Sequence, residues 1–168
     1  MNAAVASGIP AAAFAGGFDT AWIDFAKGLG CPMGAVLAGS ADLIEEAWRF
    51  KQMWGGAMRQ TGYVAAACLY ALDHNIDRLA EDHANARALA RGLAQVPGIT
   101  VEEPETNLVF FDTSGVGMTA DQLAERVRRE GIMLSAMGRY RARACTHLDV
   151  DRAGIDTAVR AIAQTVAH

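Results

Sequence analysis

The chain has 168 residues, 52% hydrophobic and 20% charged, a balance that excludes a disordered polypeptide and suits one good core or pieces of two. A net charge of −4 with no basic stripe argues against a general nucleic-acid binder. The three cysteines (Cys31, Cys68, Cys145) are odd in number, far apart and form no CxxC pair, so reduced thiols in a cytoplasmic protein are expected, without a disulfide framework or zinc site.

Residues 1–17 are alanine-rich, lack a positively charged start and are interrupted by Pro10, so no signal peptide is expected. No apolar run reaches the length of a membrane span, which predicts a soluble protein. Residues 3–7 read as the end of a helix and residues 8–10 as a turn. Such an opening looks like a domain entered partway through.

Residues 21–26 form a short, mostly apolar run that ends at Lys27. Three glycines and a proline follow, and then a second apolar run at 35–38. The pattern predicts strand, glycine-rich turn, strand, with Lys27 at the end of the first strand. A partly buried stem and a desolvated ammonium would lower the lysine pKa and make its amine a better nucleophile. Flanking glycines would let a bulky group approach the backbone, as Schiff-base lysines require. A snorkelling surface lysine is the alternative that this stretch alone leaves open.

Ser40 is expected to cap a helix whose Leu43, Ala47 and Phe50 face a core, ending at Gly55-Gly56. From residue 57 to 94 the pattern is helical, with a break near residues 73–75. Its first part, 62–72, is almost wholly apolar and is expected to be buried. Its second part is amphipathic, with Leu79, Ala86, Leu89 and Leu93 on one face, and with Arg78, Asp82, His83 and Arg87 on the exposed side. Beyond Pro97-Gly98, strands are expected at 99–101 and 108–111, then a helix to residue 129 opened by a capping box at Thr119. Strands at 132–135 and 143–145 follow, then a last helix capped by Asp151 with Ile155, Val159, Ile162 and Val166 in one stripe. This β-β-α-β-β-α order is that of a small α+β domain, with a boundary placed near Asn75.

Several candidate sites are discarded. Residues 28–33 resemble a dinucleotide fingerprint but carry Met33 where the third glycine belongs, and a lysine preceding the glycines makes no P-loop. The four histidines (His74, His83, His147, His168) show no metal spacing, so no metal site is expected. No Gly-x-Ser-x-Gly elbow is present. Two arginines remain. Arg59, beyond two glycines at an expected helix start, could help hold an anion, with a structural salt bridge as the alternative. Arg143, on a strand-like stretch with few other charges, needs an anionic partner, for which a substrate carboxylate is one candidate and a structural salt bridge the other.

Five ordered stretches then carry a family resemblance: Ile23-Asp24-Phe25-Ala26-Lys27-Gly28-Leu29-Gly30-Cys31-Pro32-Met33-Gly34, Gly55-Gly56-Ala57-Met58-Arg59-Gln60, Arg78-Leu79-Ala80-Glu81-Asp82-His83-Ala84-Asn85-Ala86, Thr106-Asn107-Leu108-Val109 and Thr146-His147-Leu148-Asp149-Val150. Over nearly all its length the chain resembles the low-specificity L-threonine aldolases, fold-type I pyridoxal-phosphate enzymes related to the β-eliminating lyases. The resemblance implies an α/β fold, with residues 1–75 the C-terminal remainder of the large cofactor-binding domain and 76–168 the small α+β domain. It implies that Lys27 forms the Schiff base with pyridoxal phosphate, that Arg59 joins the anion-binding surroundings, and that Arg143 binds the substrate carboxylate. It further implies cleavage of L-threonine or related β-hydroxy-α-amino acids to glycine and an aldehyde, in a homo-oligomer (dimer or tetramer); charge and apolar run lengths add the expectation of no nucleic-acid and no membrane partner.

Three departures from the family pattern stand out. Ala26 replaces the usual serine before the lysine, and Gln52 stands where a second basic residue is common. Family members are about twice this length, so their phosphate cradle, the histidine stacked on the ring, the aspartate on the pyridine nitrogen and a nearby arginine would lie upstream. A non-catalytic folded remnant or oligomerising module, and another pyridoxal-phosphate β-eliminating lyase, are the alternative readings.

Overall fold

Two hydrophobic cores form in the computed structural model, which describes residues 1–167. They belong to two units, Met1–Leu79 and Ala80–His168. His168, one of the histidines considered above, lies outside the described residues.

In the first unit, Thr20–Asp24 (β1) and Ala35–Gly39 (β2) pair antiparallel, with Trp22 opposite Leu37 and Asp24 opposite Ala35. Two short helices precede them, Asn2–Ser7 (α1) and Ala11–Ala15 (α2). The second of these was not expected, because five residues between Pro10 and Gly16 carry no periodic pattern. Ala41–Met53 (α3) follows β2, and the Ser40 side chain accepts from the Leu43 N–H as the sequence implied. Thr61–His74 (α4) starts later than the apolar pattern does: residues 57–60 stay outside the helix, and Gln60 enters it with a left-handed backbone, φ 54°.

Burial in this unit departs from expectation. Only Phe25, Leu29, Cys31, Cys68, Ala71 and Leu79 form its core. Leu43 and Phe50, expected to face inward, are exposed, and α3 buries no residue. The all-apolar α4 buries only Cys68 and Ala71, while Tyr63 is 84% and Leu69 63% exposed. The apolar pattern sets what these faces require, but Met1–Leu79 holds too few partners to cover them. A two-stranded sheet cannot supply such partners by itself.

The second unit is better filled. Leu79–Leu93 (α5) leads to a four-stranded antiparallel sheet made of Thr100–Val101 (β3), Leu108–Asp112 (β4), Ser135–Ala136 (β5) and Arg141–Cys145 (β6), in the order β3-β4-β6-β5. A 3₁₀ turn, Ser114–Val116, and helix Ala120–Arg128 (α6) lie between β4 and β5. Arg152–Val166 (α7) closes the unit. Period-2 alternation turns Val109, Phe111, Ala142 and Ala144 toward the helices, where they pack with Leu89, Leu93, Leu123, Val127, Ile155 and Ile162. Each fully buried large side chain contributes roughly 1.5–3 kcal/mol.

The expected Thr119–Gln122 capping box and Asp151 cap both form. The strand expected at 132–135 pairs only at Ser135–Ala136, where it meets β6. A second correction concerns α5: Asp82 and His83 are buried, at 0% and 3% exposure, and do not lie on the exposed side. No helix among the described residues is long and apolar enough to cross a membrane.

Candidate active site

Strand β1 ends at Asp24, so Lys27 sits in the following turn and not on the strand end. Buried Phe25 and Leu29, both 2% exposed, anchor the turn on either side of it. The backbone closes on itself through Gly30 N–H to Lys27 O at 2.8 Å and Cys31 N–H to Phe25 O at 2.9 Å. Asn75 Nδ2 donates to Leu29 O at 2.7 Å and ties the turn to the end of α4. Gly34 is required here. Its φ of +121° is closed to other residues, and a Cβ would meet Val64 Cγ1 at 3.1 Å.

The expected desolvation of Lys27 does not occur. Its side chain is 73% exposed, and Nζ lies 3.0 Å from Asp24 Oδ2 and 5.9 Å from the Trp22 ring centroid. That hydrogen bond from Lys27 is the main reason the Asp24 carboxyl titrates below its ordinary range, with the Ala26 N–H to Asp24 Oδ1 bond of 3.0 Å adding to it. Asp24 therefore stands as a carboxylate against the lysine ammonium, a role that the sequence reading did not assign. Its signal was the i,i+3 spacing to Lys27. Ala26, where the family has serine, contributes only its backbone N–H.

Arg59 is exposed on the segment leading to α4 and makes no ion pair or hydrogen bond among the described residues. The structure sets it ahead of the first helical residue, Thr61, with left-handed Gln60 between them.

In the second unit Arg143 lies at the centre of β6, opposite Phe110 of β4 and Ser135 of β5. It is half-buried on the sheet face turned away from the helices and pairs with no carboxylate among the described residues. Arg141, two residues earlier on that face, is neutralised: its guanidinium bonds both Glu102 oxygens at 3.0 Å and stacks 4.4 Å from the Phe110 centroid. The salt bridge weighed for Arg143 thus belongs to its neighbour.

Asn107 and Thr146 hold the far end of the strand. Asn107 Nδ2 donates to Thr146 O at 3.0 Å, Thr146 N–H donates to Asn107 O at 3.0 Å, and buried Thr146 Oγ1 donates to Asp82 O at 2.7 Å. Both residues lie in the family stretches quoted above, but nothing in the sequence distinguished positioning residues from binding ones. Among the described residues no cluster of three metal-ligating side chains occurs.

The architecture is that of fold-type I pyridoxal-phosphate enzymes, present in part. A solved structure from Exiguobacterium sp. 255-15, assigned as an aromatic amino acid beta-eliminating lyase/threonine aldolase, matches with a TM-score of 0.75 and 25% identity over 97% of this chain and 49% of that one. A second, assigned as an L-allo-threonine aldolase from Listeria monocytogenes EGD-E, matches in fold with a TM-score of 0.76 at 21% identity, again over 97% and 49% of the two chains. The beta-eliminating lyase family model matches residues 1–115, and the chain belongs to that family. Within it the chain is similar to two low-specificity L-threonine aldolases. It is 38% identical to aldolase 1 of Arabidopsis thaliana over 150 residues (88% of this chain, 42% of that protein). It is also 38% identical to that of Escherichia coli K12 over 152 residues (90% and 44%). It therefore spans less than half the length of these relatives, matching their C-terminal half.

Pyridoxal phosphate is the cofactor of this class. The residues present fit its aldehyde end. Lys27 offers an exposed primary amine on a braced turn, with the Asp24 carboxylate beside it.

Proposed function

We propose that this chain carries the lysine-bearing part of an enzyme that cleaves L-threonine or related β-hydroxy-α-amino acids to glycine and an aldehyde. Residues 1–75 would be the remainder of the large cofactor-binding domain and 76–168 the small domain, in a cytoplasmic homo-oligomer. The observation that carries this reading is the Lys27 turn: an amine displayed to solvent, paired with a carboxylate and braced from beneath by Phe25 and Leu29.

In this reading Lys27 holds the cofactor covalently and Arg59 adds a cation to its anionic surroundings. When bound, the cofactor supplies an electron sink for the pair left as Cα–Cβ breaks. Arg143 binds the substrate carboxylate. An arginine already half out of water and without an ion pair among the described residues is prepared for a bidentate partner. Asn107 and Thr146 keep its strand in place, which fixes the substrate's orientation.

The exposed side chains of α3 and α4 favour a second reading, a folded, self-associating module without turnover. Acetaldehyde and glycine release from L-threonine, measured with added pyridoxal phosphate, separates the two. Equimolar products, with kcat/KM lowered about 10- to 100-fold in Arg143→Ala for loss of one charge-assisted pair, support the aldolase. Cofactor uptake without aldehyde release supports the module.

A further inference from the structure

The cysteine spacing gave no reason to pair any two thiols, yet the fold brings two of them into one core. Cys31 and Cys68 are both buried among the six core residues of the first unit, at 8% and 7% exposure. Each sulfur lies against the backbone segment that carries the other. Cys31 Sγ donates to the carbonyl of Ala67, the residue before Cys68, at 3.3 Å. Cys68 Sγ lies 3.4 Å from the place a Cβ would take on Gly34, in the turn that Cys31 opens. Burial pushes the Cys31 thiol up, and the neighbouring Cys68 thiol pushes it further. Cys145, the remaining cysteine, is exposed and belongs to the other unit.

We propose that Cys31 and Cys68 form an oxidisable dithiol, which a hydroperoxide converts into a disulfide stapling the lysine-bearing turn to α4. One thiolate attacks the peroxide oxygen: an S–O bond forms, the O–O bond breaks, and an alcohol or water leaves. The second thiolate then displaces that oxygen from sulfur, so that S–S forms and water departs. The two sulfurs together lose two electrons and two protons, and the hydroperoxide is reduced. Only a thiolate attacks, so the raised Cys31 thiol makes the reaction slow near neutrality and faster as pH rises. This chemistry goes beyond the aldolase reading and does not depend on it.

The staple has a structural consequence. The Lys27 turn is held to α4 by Cys31 Sγ on Ala67 O and by Gly34 against Val64 and Cys68. A covalent bond at that point fixes the height of the lysine above the helix. It also closes the chain between residues 31 and 68 into one loop, which in the chain-entropy account lowers the unfolding equilibrium constant by roughly 10²–10³-fold.

The test treats the folded 168-residue chain with hydrogen peroxide, blocks free thiols under denaturing conditions, and maps the peptides without reduction. The expected result is a linked pair of peptides containing Cys31 and Cys68, with a mass two hydrogens below the sum of the two thiol peptides, and a rate that climbs with pH. A reductant restores both thiols, and Cys31→Ser or Cys68→Ser abolishes the link. The map is read on the unsubstituted chain, so a serine variant that fails to fold does not weaken the test. Recovery of Cys31 and Cys68 as blocked thiols after Cys145 has fully oxidised overturns the proposal. So does their conversion to sulfinic acids without a cross-link.

Discussion

Replacing Gly92 with alanine gives a prediction in which two effects oppose each other and the structure decides the sign. Gly92 lies on α5 where it faces α7. A Cβ added there would come 2.6 Å from Val159 Cγ2, 2.9 Å from Cγ1 and 3.3 Å from its Cβ. Alanine gains about 1 kcal/mol over glycine in a helix interior. Forcing a methyl into a packed contact costs about 1–3 kcal/mol, and three approaches this close, onto a short branched side chain with one stiff torsion, place the cost in the upper part of that range. Gly92→Ala should therefore destabilise the chain by about 1–2 kcal/mol, read as a lower urea midpoint at unchanged slope by far-UV circular dichroism. In a Val159→Ala background both Cγ methyls are gone and only the 3.3 Å approach to Cβ remains, so the same substitution should cost at least about 1 kcal/mol less than in the unsubstituted chain. A Gly92→Ala chain that is more stable in both backgrounds would refute the packing of α5 on α7 described above.

Two further outcomes follow from the second unit. Burial first, then the Arg87 charge, holds the His83 imidazole below its ordinary 6.5, against the opposing pull of Asp82. The unfolded chain then binds more protons than the folded one as pH falls through 6.5, so the stability present above that value is lost toward the lower, folded-state value. Urea midpoints measured on both sides of it should fall on the acid side, with less of a fall in His83→Gln, and an equal fall in the variant would contradict this. Asn107→Ala removes the Nδ2 donor from Thr146 O, leaves that buried carbonyl only the weak Cys145 Sγ contact at 3.7 Å, and should cost about 1–2 kcal/mol. A midpoint unchanged from that of the unsubstituted chain would show that the bond does not hold β6.

Local chemistry was the most legible part of the sequence. Ser40, Thr119 with Gln122, and Asp151 each cap the helix expected of them, because a cap is decided within four residues. The inward stripes of α5 and α7 were readable for a similar reason: Ala86, Leu89 and Leu93 of α5 and Ile155 and Ile162 of α7 meet one core, while Leu79 joins the core of the first unit. Burial in the first unit was not readable. An apolar run such as α4 announces a need for partners but not whether Met1–Leu79 contains them. Asp82 and His83 misled for the opposite reason: polar side chains at an expected outer position are buried, with the Asp82 carbonyl accepting from Thr146. Lys27 was singled out by its glycine-flanked motif, and Arg143 by its place on a strand-like stretch with few other charges. The Asp24 pairing of the first and the neutralised neighbour of the second were not readable, because both depend on where side chains end. The approach of Cys31 to Cys68 is a tertiary fact that no spacing rule contains.

The central claim is that Lys27 is the cofactor-bearing residue. Its direct test is to incubate the chain with pyridoxal phosphate, reduce with borohydride, and locate the pyridoxyl mass by peptide mapping, beside Lys27→Ala and Lys51→Ala. Lys51, the only other lysine in the chain, serves as the internal control for adventitious modification. Labelling at Lys27 with a visible absorbance band is expected, both lost in Lys27→Ala and kept in Lys51→Ala. Label on Lys51 with Lys27 unmodified, or a band that survives in Lys27→Ala, would contradict it.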